Sequence, residues 1–438
     1  MSSPALVRPR GRASVDAAPP PTVSGDLPSA LTDPIEEFYT RHPYPRPVEN
    51  LDRAFDEWRD VNRDRAEFHL MWPGKSYRAD LDVLVAGCGT WQAAKYALCR
   101  SPSRVVGIDV SLTSVECTAK LKRQYDLANL ELRQLPIERA EALDRSFDLI
   151  VCTGVLHHLA DPEAGLRALR SILKPDGAMY VMVYAPYGRA GASLLREYCR
   201  RLEIGSSDDE IDELVATLDA LPRNHPLVPL LGTSRDAWSS DALADALLNP
   251  RERSYSVVQL LDWLEHNGLT FGRWYWQAPY LPSCGAISQT PHAARLSALP
   301  EREQYDAMEL WRGTMATHSA VVYRRDTSVG DVRPHFDDAR WLDYAPVRRP
   351  WTHLIEEHLP PDAAGALLNR SHTCHDLYIV LDARERRLFD GMNGRRSIAE
   401  IIELAHEEEL ERANRFFEKL WRYDQVVFDT SRAATPVG

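Results

Sequence analysis

Short apolar runs alternate with amphipathic stretches through the first half of the chain. Val83 to Ala86, Val105 to Ile108, Leu130 to Gln134, Phe147 to Val151 and Ala178 to Tyr184 are brief enough for strands. The unbroken apolar character of Val83 to Ala86 suits a strand buried on both faces. Between them, Trp91 to Leu98, Ser111 to about Leu127 and Asp161 to Leu173 carry helix formers. Alternation of this regularity predicts a parallel sheet with helices on both sides.

The alternation lapses over 186–254, where Leu194 to Leu202, Ile211 to Leu221 and Asp241 to Leu248 read as helical and polar. It resumes at Ser256-Val257-Val258-Gln259, a capping box opening a helix to His266 that Gly268 stops. An aromatic strand (Phe271, Trp274, Trp276, Tyr280) and an apolar, β-branched one, Thr317 to Tyr323, follow. The expected fold is α/β, a Rossmann-like, mostly parallel seven-stranded sheet. Insertions at 186–254 and 281–313 would cap its carboxyl edge.

The sheet's flanks are punctuated differently. Residues 1–32, with Arg8, Arg10, Arg12 and Pro19-Pro20-Pro21, read as a disordered tail. Ile35 to Tyr39 is a short helix, and His42-Pro43-Tyr44-Pro45-Arg46-Pro47 forces an extended arm. That arm either packs on the domain or closes over its site. Asp56 to Trp72 reads as a further helix. These pieces bound a first domain of 33–325 around a core of 80–185. Residues 326–350 read as a linker, and 351–432 as a small α+β module. The module has a strand at Asp376–Leu381, a capping box at Ser397–Glu400, a helix bearing Phe416, Phe417, Leu420 and Trp421, and a last strand, Gln425–Asp429. Two helices followed by a strand suggest a winged-helix-like unit. A chain ending near Asp326 is therefore expected to fold and keep its ligand site.

Candidate chemistry starts at Gly87-Cys88-Gly89, a turn where backbone can approach a ligand closely, followed by a helix and a second strand ending on Asp109. Strand, glycine turn, helix, strand and acid make a nucleotide-binding unit whose carboxylate can accept ribose hydroxyls. A dinucleotide fingerprint would place a third glycine at Gln92, so S-adenosylmethionine fits better than NAD.

The segment Phe147-Asp148-Leu149-Ile150-Val151-Cys152-Thr153-Gly154-Val155-Leu156-His157-His158-Leu159-Ala160-Asp161-Pro162, followed by Leu173-Lys174-Pro175-Asp176-Gly177-Ala178, adds several motifs in order. Together with Val83–Thr90 and Asp109 it resembles the class I S-adenosylmethionine-dependent methyltransferases, firmly over 80–185 and more loosely to Tyr323. The Tyr39…His42-Pro43-Tyr44-Pro45-Arg46 arm is similar to the leader of a bacterial subgroup. Two positions depart from the family pattern: its acid before the glycines is Ala86, and its third glycine is Trp91.

The resemblance implies cofactor contacts from Gly87, Cys88 and Gly89, a ribose diol on Asp109, adenine near Gln134 or Ile137, and Thr153 at the methionine end. Methyl transfer requires an acceptor held in line and, where needed, relieved of a proton. His157 and His158 follow a strand end facing the cofactor and are candidates for the base that takes that proton. At most one of them faces the acceptor, because adjacent residues point in different directions; the alternative is that both only hydrogen-bond loop backbone. Tyr39, Tyr184 and Tyr187 are further candidates for the acceptor pocket.

Charge and cysteines narrow the setting. The net charge of −12 argues against general nucleic-acid or anionic-membrane binding. Seven scattered cysteines without a CxxC pair suit a reducing, cytoplasmic setting. His372-Thr373-Cys374-His375 lacks the spacing of common zinc sites. Arg412, Arg415, Lys419 and Arg422 share a helical stripe, but Glu411, Glu418 and Asp424 interleave it. The expected activity is methyl transfer to a small-molecule acceptor. The alternatives are a peptide acceptor gripped by the terminal module, which faintly resembles leader-peptide recognition domains, and a non-enzymatic S-adenosylmethionine sensor that binds DNA.

Overall fold

The apolar runs pair into one sheet. The computed structural model describes residues 33–57, 61–231, 239–326 and 333–433, so the expected tail at 1–32 lies outside the described residues. Strands β1 (Asp82–Ala86), β2 (Arg104–Asp109), β3 (Leu130–Gln134), β4 (Phe147–Thr153), β5 (Leu173–Tyr184), β6 (Leu269–Trp274) and β7 (Thr317–Arg324) run in the order β3-β2-β1-β4-β5-β7-β6. The first five are mutually parallel, and β7 is antiparallel to both its neighbours.

Alternate residues of β1 explain its continuous apolarity. Leu84 and Ala86 join one buried cluster, with Ile150, Leu166 and Leu264, while Val83 and Val85 join another, with Phe68, Ala93 and Leu121. Both faces are therefore covered. The flanking helices begin where the sequence offers caps: Ser111 accepts from the Ser114 N–H, and Asp161 from those of Glu163 and Ala164. Strand order reverses between β1 and β4, which opens a crevice at their carboxyl ends.

Some boundaries shift for local reasons. β5 starts at Leu173, five residues before the expected Ala178, with a register break opposite Phe147 and Leu149. Lys174 holds that extension by bridging Asp82 (2.8 Å) and Asp148 (2.9 Å). The aromatic strand stops at Trp274, and Tyr280 sits in a 3-10 turn whose second residue is Pro279.

The insertion after β5 contains the helices Ala190–Arg201, Asp208–Leu218, Leu227–Leu231 and Ser240–Leu248. These bury their own cluster of Leu195, Leu214, Leu218, Leu243 and Leu247. Phe38 of the helix Pro34–Arg41 packs with Ile211 and Ala244, so arm and cap meet.

Beyond β7 lie β8 (Ala345–Arg348), β9 (Thr352–Ile355), β10 (Gly365–Asn369), β11 (Tyr378–Leu381) and β12 (Val426–Asp429). β9, β10 and β11 form an antiparallel sheet with β10 central, and β8 pairs with β12. Val347 and Val427 of that ribbon enter the same apolar cluster as Val83 and Val85. Arg65 on the helix Val61–Met71 donates to Asp429 at 3.2 Å.

Candidate functional site

The crevice begins at two glycines with left-handed backbone, Gly87 (φ +72°) and Gly89 (φ +54°). A side chain at Gly87 would overlap Val155, and a Cβ at Gly89 would stand 2.8 Å from Pro45 Cδ and 3.1 Å from the Tyr44 carbonyl. Only glycine meets both demands. The Gly87 and Cys88 N–H groups each donate to the Ile108 carbonyl at 2.9 Å, which ties the turn to β2.

Asp109, at the end of β2, accepts from the Gly89 N–H (2.8 Å) and the Ser111 N–H (2.9 Å). Burial raises its carboxyl above the ordinary value, against backbone N–H groups of Ser111, Gly89 and Val110 that favour the anion. Cys88 is fully buried, and burial pushes its thiol well up, so it serves as a packed wall and not as a nucleophile.

Thr153 ends β4, and its hydroxyl accepts from Gln92 Nε2 at 3.0 Å. Ile137 and Glu138 stand on the same cavity wall as Asp109 and Gly89. Gln134 lies outside that wall, exposed, with its amide donating to the Val110 carbonyl at 3.0 Å. The structure thus brings together Gly87, Cys88, Gly89, Asp109, Ile137 and Thr153, but not Gln134.

These residues form one end of a cavity of about 1690 Å³ along the carboxyl edge. One drug-sized ligand needs about 300–1,000 Å³, so the space exceeds that of a single small ligand. The N-terminal arm covers part of it. Thr90 Oγ1 donates to the Pro45 carbonyl (2.6 Å), and Ser111 Oγ to the Tyr39 carbonyl (3.0 Å). Tyr39 and Tyr44 line the space, whereas His42 turns away to the Ser206 carbonyl at 2.7 Å.

Asp245 holds two of the tyrosines that line the cavity. It accepts from Tyr39 Oη at 2.7 Å and from Tyr184 Oη at 3.3 Å, and Asn249 Nδ2 donates to Tyr39 Oη at 3.0 Å. Burial, then the Asp245 charge, holds both phenols well above their ordinary value, so both are neutral donors. No motif marked Asp245. Its signal was an acid among Leu243, Ala244 and Leu247 on the buried side of the helix Ser240–Leu248.

The two histidines diverge. His158 lines the cavity; its Nδ1 stands 2.6 Å from the Arg251 carbonyl, which fixes Nδ1 as the protonated nitrogen. Its Nε2 is buried with no hydrogen-bond partner among the described residues, and in the neutral tautomer it carries the lone pair. His157 is buried behind it, 3.9 Å from the Tyr184 ring. Burial, then His158 and Arg189, lowers it well below its ordinary value. Arg189 lies over the other partner in this stack, 3.6 Å from the Tyr184 ring, and pairs with Glu252 at 2.8 Å. No three potential metal ligands converge among the described residues.

Comparison with known proteins fits this architecture. Residues 84–181 match the family model described as a methyltransferase domain. An uncharacterized protein of Synechococcus sp. is 28% identical over 257 residues, 56% of this chain and 60% of that protein. A ubiquinone biosynthesis O-methyltransferase of Neisseria meningitidis is 32% identical over 142 residues, 30% of this chain and 59% of its own. The chain thus spans about 60% of the length of these curated relatives. Among solved structures, PKMT2 from Rickettsia typhi superposes with a TM-score of 0.60 at 15% identity, covering 85% of this chain and 75% of that one. The fold is the Rossmann-like methyltransferase fold, with the match to a methyltransferase domain lying over residues 84–181.

Proposed function

We propose that this chain is an S-adenosylmethionine-dependent methyltransferase whose acceptor is a small molecule. One observation carries the reading: the glycine turn and Asp109 open into the same cavity as His158 and the two tyrosines, Tyr39 and Tyr184, that Asp245 holds.

The residues present fit the cofactor. The glycine turn leaves room that a Cβ would fill, Asp109 offers a carboxylate to a ribose diol, and Ile137 offers an apolar wall to adenine. Thr153 stands at the methionine end. When bound, S-adenosylmethionine supplies a sulfonium-activated methyl group for in-line displacement. The protein's task is then to align the acceptor, exclude water and receive a proton. His158 Nε2 accepts that proton from an acceptor hydroxyl or amine. Tyr39 and Tyr184, fixed by Asp245, shape the wall that orients the acceptor. His157 holds Tyr184 in place.

A peptide acceptor is the second reading, favoured by the loop 370–375, which brings the C-terminal part of the chain to the cavity wall. All seven cysteines are free, and no helix among the described residues is long and apolar enough to cross a membrane; both suit the proposed cytoplasmic setting.

Calorimetry with S-adenosylmethionine tests the site. Asp109→Ala should bind at least tenfold more weakly while remaining folded, since hydrogen bonds to a charged group contribute roughly 1.5–3 kcal/mol each. Unchanged affinity in the folded variant would overturn the assignment. Labelled methyl recovered in the small-molecule extract, not in the peptide fraction, would decide between the two acceptor readings.

A further inference from the structure

The cavity has a second end. Along the carboxyl edge it passes from Thr153 of β4 across Met182 of β5 and Ser319 of β7 to Trp276, just past β6. Three strand spacings of about 4.8 Å separate β4 from β6, so this path is roughly 14 Å long. At its far end stands His372, whose ring meets Trp276 edge-on at 6.0 Å.

His372 is built into place. Its side chain is 2% exposed, and its Nε2 lies 3.1 Å from Asp424 Oδ2. That fully buried carboxylate also accepts from the Ala278 N–H at 2.9 Å, and Arg273 and Arg349 stand at 3.4 and 3.5 Å. The other ring nitrogen, Nδ1, is buried without a hydrogen-bond partner among the described residues. A buried polar atom left unpartnered beside a cavity is costly unless a ligand completes it. With Nε2–H donating to Asp424, Nδ1 is the lone-pair acceptor of the neutral tautomer.

We propose that His372 is a distal acceptor subsite. It takes the hydroxyl or N–H group of an elongated, mainly apolar small molecule, about 14 Å from the atom that is methylated. The inference rests on the methyltransferase reading above. The walls between the two ends are mainly apolar, with Met182, Pro279, Met315 and Trp276 beside the polar Thr317 and Ser319. They provide few partners for the successive N–H and C=O groups of a peptide, which favours a molecule without an amide backbone. His372 touches the acceptor far from the reacting atom, so it positions and selects and takes no part in proton transfer.

The test uses analogues of S-adenosylhomocysteine in which an amine nitrogen replaces sulfur and bears a saturated chain of about 14 Å. One analogue ends in a phenol and its control in the methyl ether. The phenol should bind the full-length protein about tenfold more tightly than the ether, and His372→Ala should abolish that difference. S-adenosylhomocysteine itself should bind both proteins alike, which also checks folding of the variant. Equal affinities of phenol and ether for the unsubstituted protein would overturn the subsite and leave the methyltransferase reading standing. Failure of S-adenosylhomocysteine to bind that protein would overturn both. A probe with an amide-backbone chain of equal length that outbinds the saturated one would overturn the small-molecule assignment.

Discussion

Asp109 serves two demands that oppose each other. In the proposed site it would be ionised to accept ribose hydroxyls, yet burial raises its carboxyl against the N–H groups of Ser111, Gly89 and Val110 that favour the anion. Affinity for S-adenosylmethionine should therefore fall as pH drops through a range above the ordinary aspartate value of about 3.9. For the cofactor-free protein the sign reverses, because the folded state takes up this proton before the unfolded state does. Acidification there removes a destabilising buried charge. Calorimetry at stepped pH should show the affinity loss, and Asp109→Asn should bind weakly with no such dependence. His157 is the opposite case: uncharged when folded, it titrates near pH 6.5 once unfolded, so stability falls as pH drops below that value. His157→Phe fills the same slot against Tyr184 and should flatten the fall in melting temperature between about pH 7 and 5; an unaltered slope would count against this account. His158→Phe should leave cofactor affinity intact and lower turnover by about a hundredfold or more, the usual contribution of a general base.

At the level of elements, the arm is held by backbone carbonyls that accept from side chains of the core. Thr90→Val removes the 2.6 Å bond to the Pro45 carbonyl, about 1 kcal/mol, and should leave the fold intact while exposing residues 42–47 to proteolysis. Gly89→Ala should act more strongly, since it adds left-handed strain of about 1–2 kcal/mol and pushes on Pro45. Resistance of both variants to cleavage would mean that the arm is anchored elsewhere, for example through His42 and Ser206. The elements of the sheet were legible because a strand buried on both faces leaves an unbroken apolar run, as Val83 to Ala86 does. β9 left no such trace: all four of its residues are half-buried, so neither alternation nor continuity marks it. The extension of β5 through Lys174-Pro175-Asp176-Gly177 reads as a turn until Asp82 and Asp148, both distant in sequence, are placed beside Lys174. The glycine turn and Asp109 were legible for a related reason, since their spacing along the chain is short and fixed. Asp245 and His372 were not, because each depends on a partner far along the chain, Tyr39 at 206 residues and Asp424 at 52.

For the whole molecule, the question is whether the chain up to Asp326 stands without the rest. The sequence favours separation, because the C-terminal helices bury their own apolar faces, Leu388, Ile401, Phe416 and Leu420 among them. Two junctions argue the other way. The β8–β12 ribbon places Val347 and Val427 in the cluster that covers one face of β1, together with Phe68, Leu70 and Met71 of the helix before it. Cutting at 326 would expose that apolar surface to water. The second junction is electrostatic. Burial lowers Arg273 to about 10 even with Asp424 beside it, and removing Asp424 would strand a fully enclosed guanidinium. Breaking a buried ion pair from one side costs about 3–5 kcal/mol, a large part of a domain's stability of about 5–15 kcal/mol. A protein ending at Asp326 should therefore aggregate or fail to bind S-adenosylmethionine. Asp424→Asn in the full chain should fold, with a lowered melting temperature and near-normal cofactor affinity. Titrating the three proteins side by side decides the matter. A soluble shortened protein that matches the full chain's affinity would show that the ribbon and Asp424 merely rest against the part of the chain that carries the seven-stranded sheet. Loss of binding on shortening, with binding kept in Asp424→Asn, would assign the dependence to the apolar junction.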